Sequence, residues 1–598
     1  MPNIEDYGLI SNCHSVALIS INGSIDWCCM PKIDAPSCFG RIIDNKSGYC
    51  QISPRADHTV SRQYIKNTMI LEHIFKSASG TAKLTDCFIV DRESEHHISH
   101  LVRIIEGIAG ELDIELDILP RFDYGLTKPW IRKYNKKLFI AIASDQGLCI
   151  SGNIDFNFKK RHQVQTVFTI KKNQKKYLSI QGGLPHLLDQ GQFELYTEEE
   201  LDHLVKKTEQ FWLCWSSQCN YKGIHSDLVM RSALTLKALS NLSTGGIAAA
   251  ATTSLPEDLQ GNRNWDYRYC WIRDSFFTII TLSRIGFSNE AQFFHHFIDR
   301  SSGDTAAGIQ VLYGIDGRKF IFENSLDQLS GYKNVKPVRI GNSAFEQRQL
   351  GNYGWLMEMF YQSEQLNVSL REERWSFIVG IVKKVVECWD CPDSGIWERR
   401  DREEHFVHSK VECWSAINRA ICLAHKLGKK IPKSWPVTRE LLYKTILAKG
   451  YNKKRGVFVQ SYEHDYMDSA LLLLPVMDFI PYKDPRMIRT AQAVWDDLND
   501  HGLIRRYPAN IDNLEGPENV FLPSSFWLAS CFARQGFYKK AKTIFDRALQ
   551  AGNDLGLFSE EYNPTTKELL GNFPQAYTHI SLIGAALNLK NMRKKIKK

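Results

Sequence analysis

Two spacings of apolar residues divide the chain. As far as about residue 195 they fall in short runs or alternate with polar residues, the habit of strands. Residues 16–29 place Asn22-Gly23 between two β-prone runs. That dipeptide tolerates positive φ in the centre of a tight turn, so a hairpin is predicted there. In 111–119, Leu112, Ile114, Leu116 and Ile118 alternate with Glu111, Asp113, Glu115 and Asp117, which makes a strand buried on one face and wet on the other. Shorter β-prone runs follow at 137–143, 147–151 and 164–170. An antiparallel β-sandwich accounts for all of them.

Near residue 197 the period changes. Thr197-Glu198-Glu199-Glu200 supplies a capping residue and an acidic first turn, predicting a helix to about Cys219. Beyond it apolar residues recur at helical spacing: Trp375, Ile378, Val379, Val382, Val385, Val386 and Trp389 in one segment, Phe537, Ala541, Ile544, Ala548 and Leu549 in another. About ten to twelve such segments lie between 225 and 590, joined by long Gly- and aromatic-rich loops. No fixed repeat accompanies them, which argues against a solenoid and for an α/α barrel. The expected organisation is a sandwich over 1–195, a linker helix over 196–224, a barrel over 225–590 and a basic tail over 591–598.

Composition narrows the function more than the fold. The net charge of +8 owes much to the end of the chain, where Arg593, Lys594, Lys595, Lys597 and Lys598 cluster; the body is nearly neutral, and no nucleic-acid partner is expected. No apolar run is long enough for a transmembrane helix, and the first residues carry no export signal. Fifteen cysteines without even spacing then read as reduced thiols in a cytoplasmic protein. Nucleotide-binding glycine motifs, H-E-x-x-H and G-x-S-x-G are all missing. Cys388-x2-Cys391 followed by His405-x2-His408 has a zinc-finger look, but its histidines are too close and the intervening segment is unlike a finger helix. No metal or cofactor is expected.

Three loop segments set charges beside aromatic rings: 261–274, 395–410 and 558–576. Two of them hold a carboxylate suited to acid–base work. Hydrolysing a glycosidic bond takes a proton on the leaving oxygen and an activated water behind the anomeric carbon, and two carboxyl groups about 6.5–9.5 Å apart supply both. The acid must stay protonated, which burial against an indole favours; Glu398, directly after Trp397, fits. The base must ionise; Glu560, in a polar Ser-Glu-Glu-Tyr segment, fits. The adjacent Glu561 remains an alternative base.

These segments resemble glycoside hydrolase family 15, the glucoamylase and trehalase family, along nearly the whole chain. Tyr267-Arg268-Tyr269-Cys270-Trp271-Ile272-Arg273-Asp274 looks like its sugar-binding segment, Trp397-Glu398 its general-acid motif, and Glu560-Glu561-Tyr562-Asn563 with Gly571-Asn572-Phe573-Pro574-Gln575-Ala576 its general-base region. Ile4-Glu5-Asp6-Tyr7-Gly8 and Gly23-Ser24-Ile25-Asp26-Trp27 are similar to the trehalase-like N-terminal domain of the bacterial and archaeal branch. The resemblance implies a β-sandwich followed by an (α/α)6 barrel, and an inverting, exo-acting hydrolase of α-glucosides. Glu398 would be the acid and Glu560 the base. Arg273 and Asp274 would hold the terminal glucose, Tyr267 would lie near the anomeric carbon, and Trp271, Trp397 and Lys410 would contact substrate. The expected partner is a small carbohydrate, trehalose ahead of malto-oligosaccharides, with glucoamylase activity on longer α-glucans as the alternative. A sugar phosphorylase or a non-catalytic sugar-binding protein ranks below both. Oligomeric state stays open. One stretch departs from the family pattern: Gly351-Asn352-Tyr353-Gly354-Trp355 lacks the usual acidic residues around its Tyr-Gly pair, which leaves preference beyond the first glucose open.

Overall fold

In the computed structural model, which describes residues 1–90, 99–303, 305–365 and 372–596, the Asn-Gly hairpin forms as expected. Strands Val16–Ser20 and Ser24–Cys29 pair antiparallel, with Leu18 opposite Trp27. Gly23 has φ +71°, and a Cβ there would lie 2.4 Å from the Ile52 carbonyl oxygen. The strand Ser99–Leu119 organises the domain. Its first half pairs with Gly80–Phe88 and Lys175–Gly183, its second with Tyr49–Pro54 and Gln163–Lys171. One strand thus passes between two antiparallel sheets. The crossing falls where the register with the Gly80–Phe88 strand shifts. Gly110 there has φ +61° and stands so close to Ser79 that a Cβ would come within 2.1 Å of its carbonyl oxygen. Past the crossing, Leu112, Ile114, Leu116 and Ile118 are buried while Glu111 and Asp113 are exposed.

Thr197 caps the helix Glu198–Ser216 in a complete capping box: the Glu200 N–H donates to its hydroxyl at 3.3 Å, and its own N–H donates to the Glu200 carboxylate at 2.7 Å. From there outer and inner helices alternate. The outer ones are Ser226–Ala238, Asn289–Ser302, Glu372–Cys388, Ser434–Lys449, Pro485–Leu498 and Tyr538–Leu549. The inner ones are Ile272–Arg284, Gly351–Gln365, Val407–Lys426, Ser469–Leu473, Leu522–Gln535 and Ala576–Ile596. Each inner element packs on the next, and the last packs on the first, so the described residues close an (α/α)6 barrel. The fourth inner element is only a 3-10 segment. Pro475 has no N–H to give to Leu471, and the chain continues in tighter turns, Val476 N–H to Leu473 O at 2.8 Å.

Because inner helices share one direction, the loops ahead of their N-termini gather at one mouth. The two domains share a continuous apolar core. Polar ties cross between them: Ser11 Oγ donates to Ala238 O (2.9 Å), Trp27 Nε1 to Ala251 O (2.8 Å) and Arg268 Nη1 to Ala35 O (2.7 Å). Among the described residues no helix is long and apolar enough to cross a membrane. The expected basic tail differs: residues 591–596 continue the last helix, and Lys597 and Lys598 lie outside the described residues.

Candidate active site

A cleft opens at that mouth. Its walls come from the starts of inner helices and the loops before them: Trp271, Arg273 and Asp274; Asn342; Ile396, Trp397 and Glu398; Phe521; Gln575 and Tyr577. Loop 389–406 delivers Glu398 with φ +59°, a left-handed conformation uncommon for a non-glycine residue. The fold holds it there. Gln347 Nε2 donates to its carbonyl at 3.1 Å, and Trp271 Nε1 donates to its Oε1 at 2.7 Å. Arg273 Nη1 lies 3.5 Å from the same oxygen and donates to Ile396 O at 2.8 Å. Burial raises the Glu398 pKa, against the pull of Arg273 and Trp271.

Arg273 also pairs with Asp274 at 3.1 Å. Asp274 is buried in the first turn of its helix, where the helix dipole favours an anion. Tyr267 meets the Trp271 ring edge-on at 5.4 Å. Trp397 Nε1 donates to both oxygens of Asp468 (2.9 and 3.0 Å), which caps the short inner element through the Ala470 N–H at 2.8 Å. That shared carboxylate ties the loop bearing Glu398 to the barrel wall, and burial pushes it up to about 6.

Glu560 and Glu561 point to different places. Glu560 lines the cleft, whereas Glu561 lies 2.7 Å from Arg506 Nη2 in the wall. The expectation of a polar surrounding for Glu560 is corrected: it is 3% exposed, and burial, then the neighbouring Glu257, raise its pKa well above the ordinary value, opposed by Arg506 and Tyr267. Gly571, with φ +73°, leaves it room, since a Cβ there would stand 2.9 Å from the Glu560 Cβ.

The chain aligns with the trehalase of Mycolicibacterium smegmatis at 35% identity over 98% of its length and 91% of the relative's. With that of Thermoplasma volcanium it shares 34% over 98% and 94%. The family model "Glycosyl hydrolases family 15" matches residues 223–551. The chain belongs to glycosyl hydrolase family 15. A second model, "Trehalase-like, N-terminal", matches residues 1–189 of this family 15 hydrolase. Its fold is shared with a bacterial glucoamylase solved in complex with acarbose, at TM-score 0.70 and 13% identity, covering 100% of this chain and 98% of that one.

Of the residues expected at the site of this glycosidase, Tyr267, Trp271, Arg273, Asp274, Trp397, Glu398 and Glu560 all line the one cleft. Lys410 does not. It is buried in the first turn of a largely buried inner helix, donates to the Cys391 carbonyl, and partly offsets the burial that pushes Asp393 up to about 6. The two histidines of the zinc-like spacing have separate surroundings: His405 bonds Glu463, while His408 is buried beside Trp355.

Several cleft residues were not anticipated. Trp265 lies under the guanidiniums of Arg400 (3.8 Å) and Arg339 (4.3 Å), and both arginines face Glu323. Arg506 contacts Glu257 (2.6 Å), Glu518 (2.6 Å) and Glu561 (2.7 Å). Arg263 joins Glu518 and Asp512, and Tyr507 donates to Asp512 at 2.7 Å. The only signal for them in the sequence is a high density of charge and aromatics in loops; their pairing is long-range.

Proposed function

We propose that the chain hydrolyses trehalose with inversion, Glu398 as general acid and Glu560 as general base. The observation that carries this reading is that both carboxyl groups, from loops far apart in sequence, line one cleft whose walls also hold Arg273 and Asp274. Trehalose is the preferred substrate because relatives that match 98% of the chain at 34–35% identity are named trehalases.

Glu398 Oε1 accepts from an indole N–H and faces a guanidinium, so the acid proton belongs on Oε2. Burial keeps it there near neutral pH. As the glycosidic bond breaks, that proton passes to the leaving oxygen. Glu560 takes a proton from the water attacking the opposite side of the anomeric carbon, and configuration inverts. Arg273 and Asp274 hold hydroxyls of the glucose at the closed end, so substrate enters by a chain end. Positive charge developing on the sugar ring is met by fixed carboxylates rather than by mobile water.

Purified protein offered trehalose, maltose, maltoheptaose, isomaltose and starch, each with and without phosphate, tests the assignment. Trehalose should be cleaved fastest and without phosphate. Preference for maltoheptaose or starch would replace trehalase with glucoamylase activity, and phosphate-dependent glucose 1-phosphate would replace hydrolysis with phosphorolysis.

A further inference from the structure

Side-chain exposure along the cleft rises in steps: Asp274 is 2% exposed, Arg273 14%, Glu398 17% and Arg400 27%. Of the residues lining the cleft, Arg400 is the only exposed one; the rest are buried or half-buried. It therefore marks the entrance. It follows the acid by two residues, so their Cα atoms are no more than about 7 Å apart. Its guanidinium is already held in place. Nη1 donates to Glu323 Oε1 at 2.9 Å, Nη2 donates to Oε2 at 2.7 Å, and the group lies 3.8 Å from the centroid of the Trp265 ring. Glu323 is anchored in turn by the Ser343 N–H at 3.1 Å. Of the five N–H bonds of a guanidinium, Glu323 accepts two; the other three have no acceptor among the described residues. The indole face under Arg400 is covered by a cation, so this part of the wall offers hydrogen-bond donors rather than a ring on which a sugar could stack.

The group that departs with the oxygen protonated by Glu398 has to lie beside that carboxyl. Arg273 and Asp274 occupy the closed end, so the departing group lies toward the entrance, where Arg400 is. In trehalose that group is a second glucose, and its hydroxyl oxygens are acceptors. We propose that Arg400 binds the leaving glucose by donating to those hydroxyls, so that the cleft favours a sugar over a non-sugar leaving group. This rests on Glu398 being the acid. Because Glu323 and Trp265 already fix the guanidinium, little side-chain freedom is lost when the sugar docks. Arg400 makes and breaks no bond. Its charge does reach the acid, where with Arg273 it works against the rise in pKa that burial causes.

The test pairs a binding measurement with a kinetic one, both on the full-length protein. Trehalose affinity is measured by calorimetry on Glu398→Gln, which has no proton to give, and again with Arg400→Met added. Methionine keeps an apolar stem but has no N–H donor. The expected result is a Kd weaker by about 10- to 100-fold, the loss of hydrogen bonds to a charged group. α-Glucosyl fluoride has no second glucose, and fluoride departs without a proton from the acid. Its kcat/KM in Arg400→Met alone should stay within about 2-fold, because the contact removed is one this substrate never makes. An unchanged Kd for trehalose would mean that Arg400 only braces the loop carrying the acid, and overturns the proposal. A kcat/KM for the fluoride that falls as far as the trehalose Kd rises would mean damage to the first glucose site, and overturns it too. Failure of the underlying reading looks different. With Glu398 as the acid, Glu398→Gln loses far more turnover on trehalose than on α-glucosyl fluoride; equal losses on both substrates remove Glu398 as the acid, whatever Arg400 does.

Discussion

At Glu398 and Glu560 the same physical effect, loss of water around a carboxyl group, raises both pKa values. The consequences have opposite signs. The base works ionised, so activity falls as pH drops through its raised pKa, nearer neutrality than for an ordinary glutamate at about 4.3. The acid works protonated, so activity survives to higher pH than an ordinary carboxyl would allow. A profile of kcat/KM against pH should therefore show a bell displaced above the ordinary carboxylate range; one centred near pH 4 would contradict this. Glu398→Gln and Glu560→Gln should each lower kcat by about 10²- to 10⁴-fold with little change in KM, measured on trehalose. Both carboxylates were legible in the sequence because each stands in a short aromatic-acidic motif. Arg506, Glu257 and Trp265 were not, since only the fold brings their partners together. Lys410 was misread because a cation next to a helix start faces the cleft or the packed wall depending on one helical turn.

Among the elements, the inner helix Val407–Lys426 carries an unusual polar stripe. His408, Glu412, Ser415 and Arg419 fall four, three and four residues apart, on one face of a helix buried along most of its length. Arg419 pairs with Glu358 and Asp478. Glu412, by contrast, has both oxygens without a hydrogen-bond partner among the described residues, and burial and the nearby Glu358 push its pKa well up. A carboxyl whose folded pKa exceeds its unfolded one contributes stability fully below the unfolded value, about 4.3, and loses it as pH rises through the folded value. Glutamine does not titrate. The melting temperature of Glu412→Gln relative to the unaltered protein should therefore climb between pH 4 and neutrality; a difference independent of pH would refute the buried, neutral carboxyl. The strand alternation at 111–118 and the capping box at Thr197 were readable because period and cap are local. The short fourth inner element was less so: its apolar run Ala470–Leu474 suits helix and strand alike, and Pro475 decides between them. The helical course of 591–596 was hidden by charge, which reads as a solvated end whether or not the backbone stays helical.

For the whole molecule, the β-domain and barrel are one packed body rather than two linked by a tether. Arg268 shows how closely they are joined to the site. Beside Tyr267, it pairs with Asp266 at 2.6 Å and donates to Ala35 O and the Tyr124 hydroxyl of the β-domain at 2.7 and 2.8 Å, fully buried. Removing one partner of a buried ion pair costs about 3–5 kcal/mol, so Arg268→Met should lower the melting temperature sharply. Scanning calorimetry of the unaltered protein should show one cooperative transition; two separated transitions would mean that the domains fold independently. A sandwich followed by a barrel was legible from the two periods, but their shared core was not, because apolar residues facing another domain look like those facing their own.

The most direct test of paired carboxylates acting across one glycosidic bond is proton NMR of the glucose anomers in the first moments of trehalose hydrolysis. Trehalose joins two glucose units, both in the α configuration. Inversion converts the attacked unit to β-glucose while the departing unit keeps its α configuration, so the expected initial product is an equal mixture of the two anomers. α-Glucose alone would mean retention, and would contradict a water activated by Glu560 opposite an acid at Glu398.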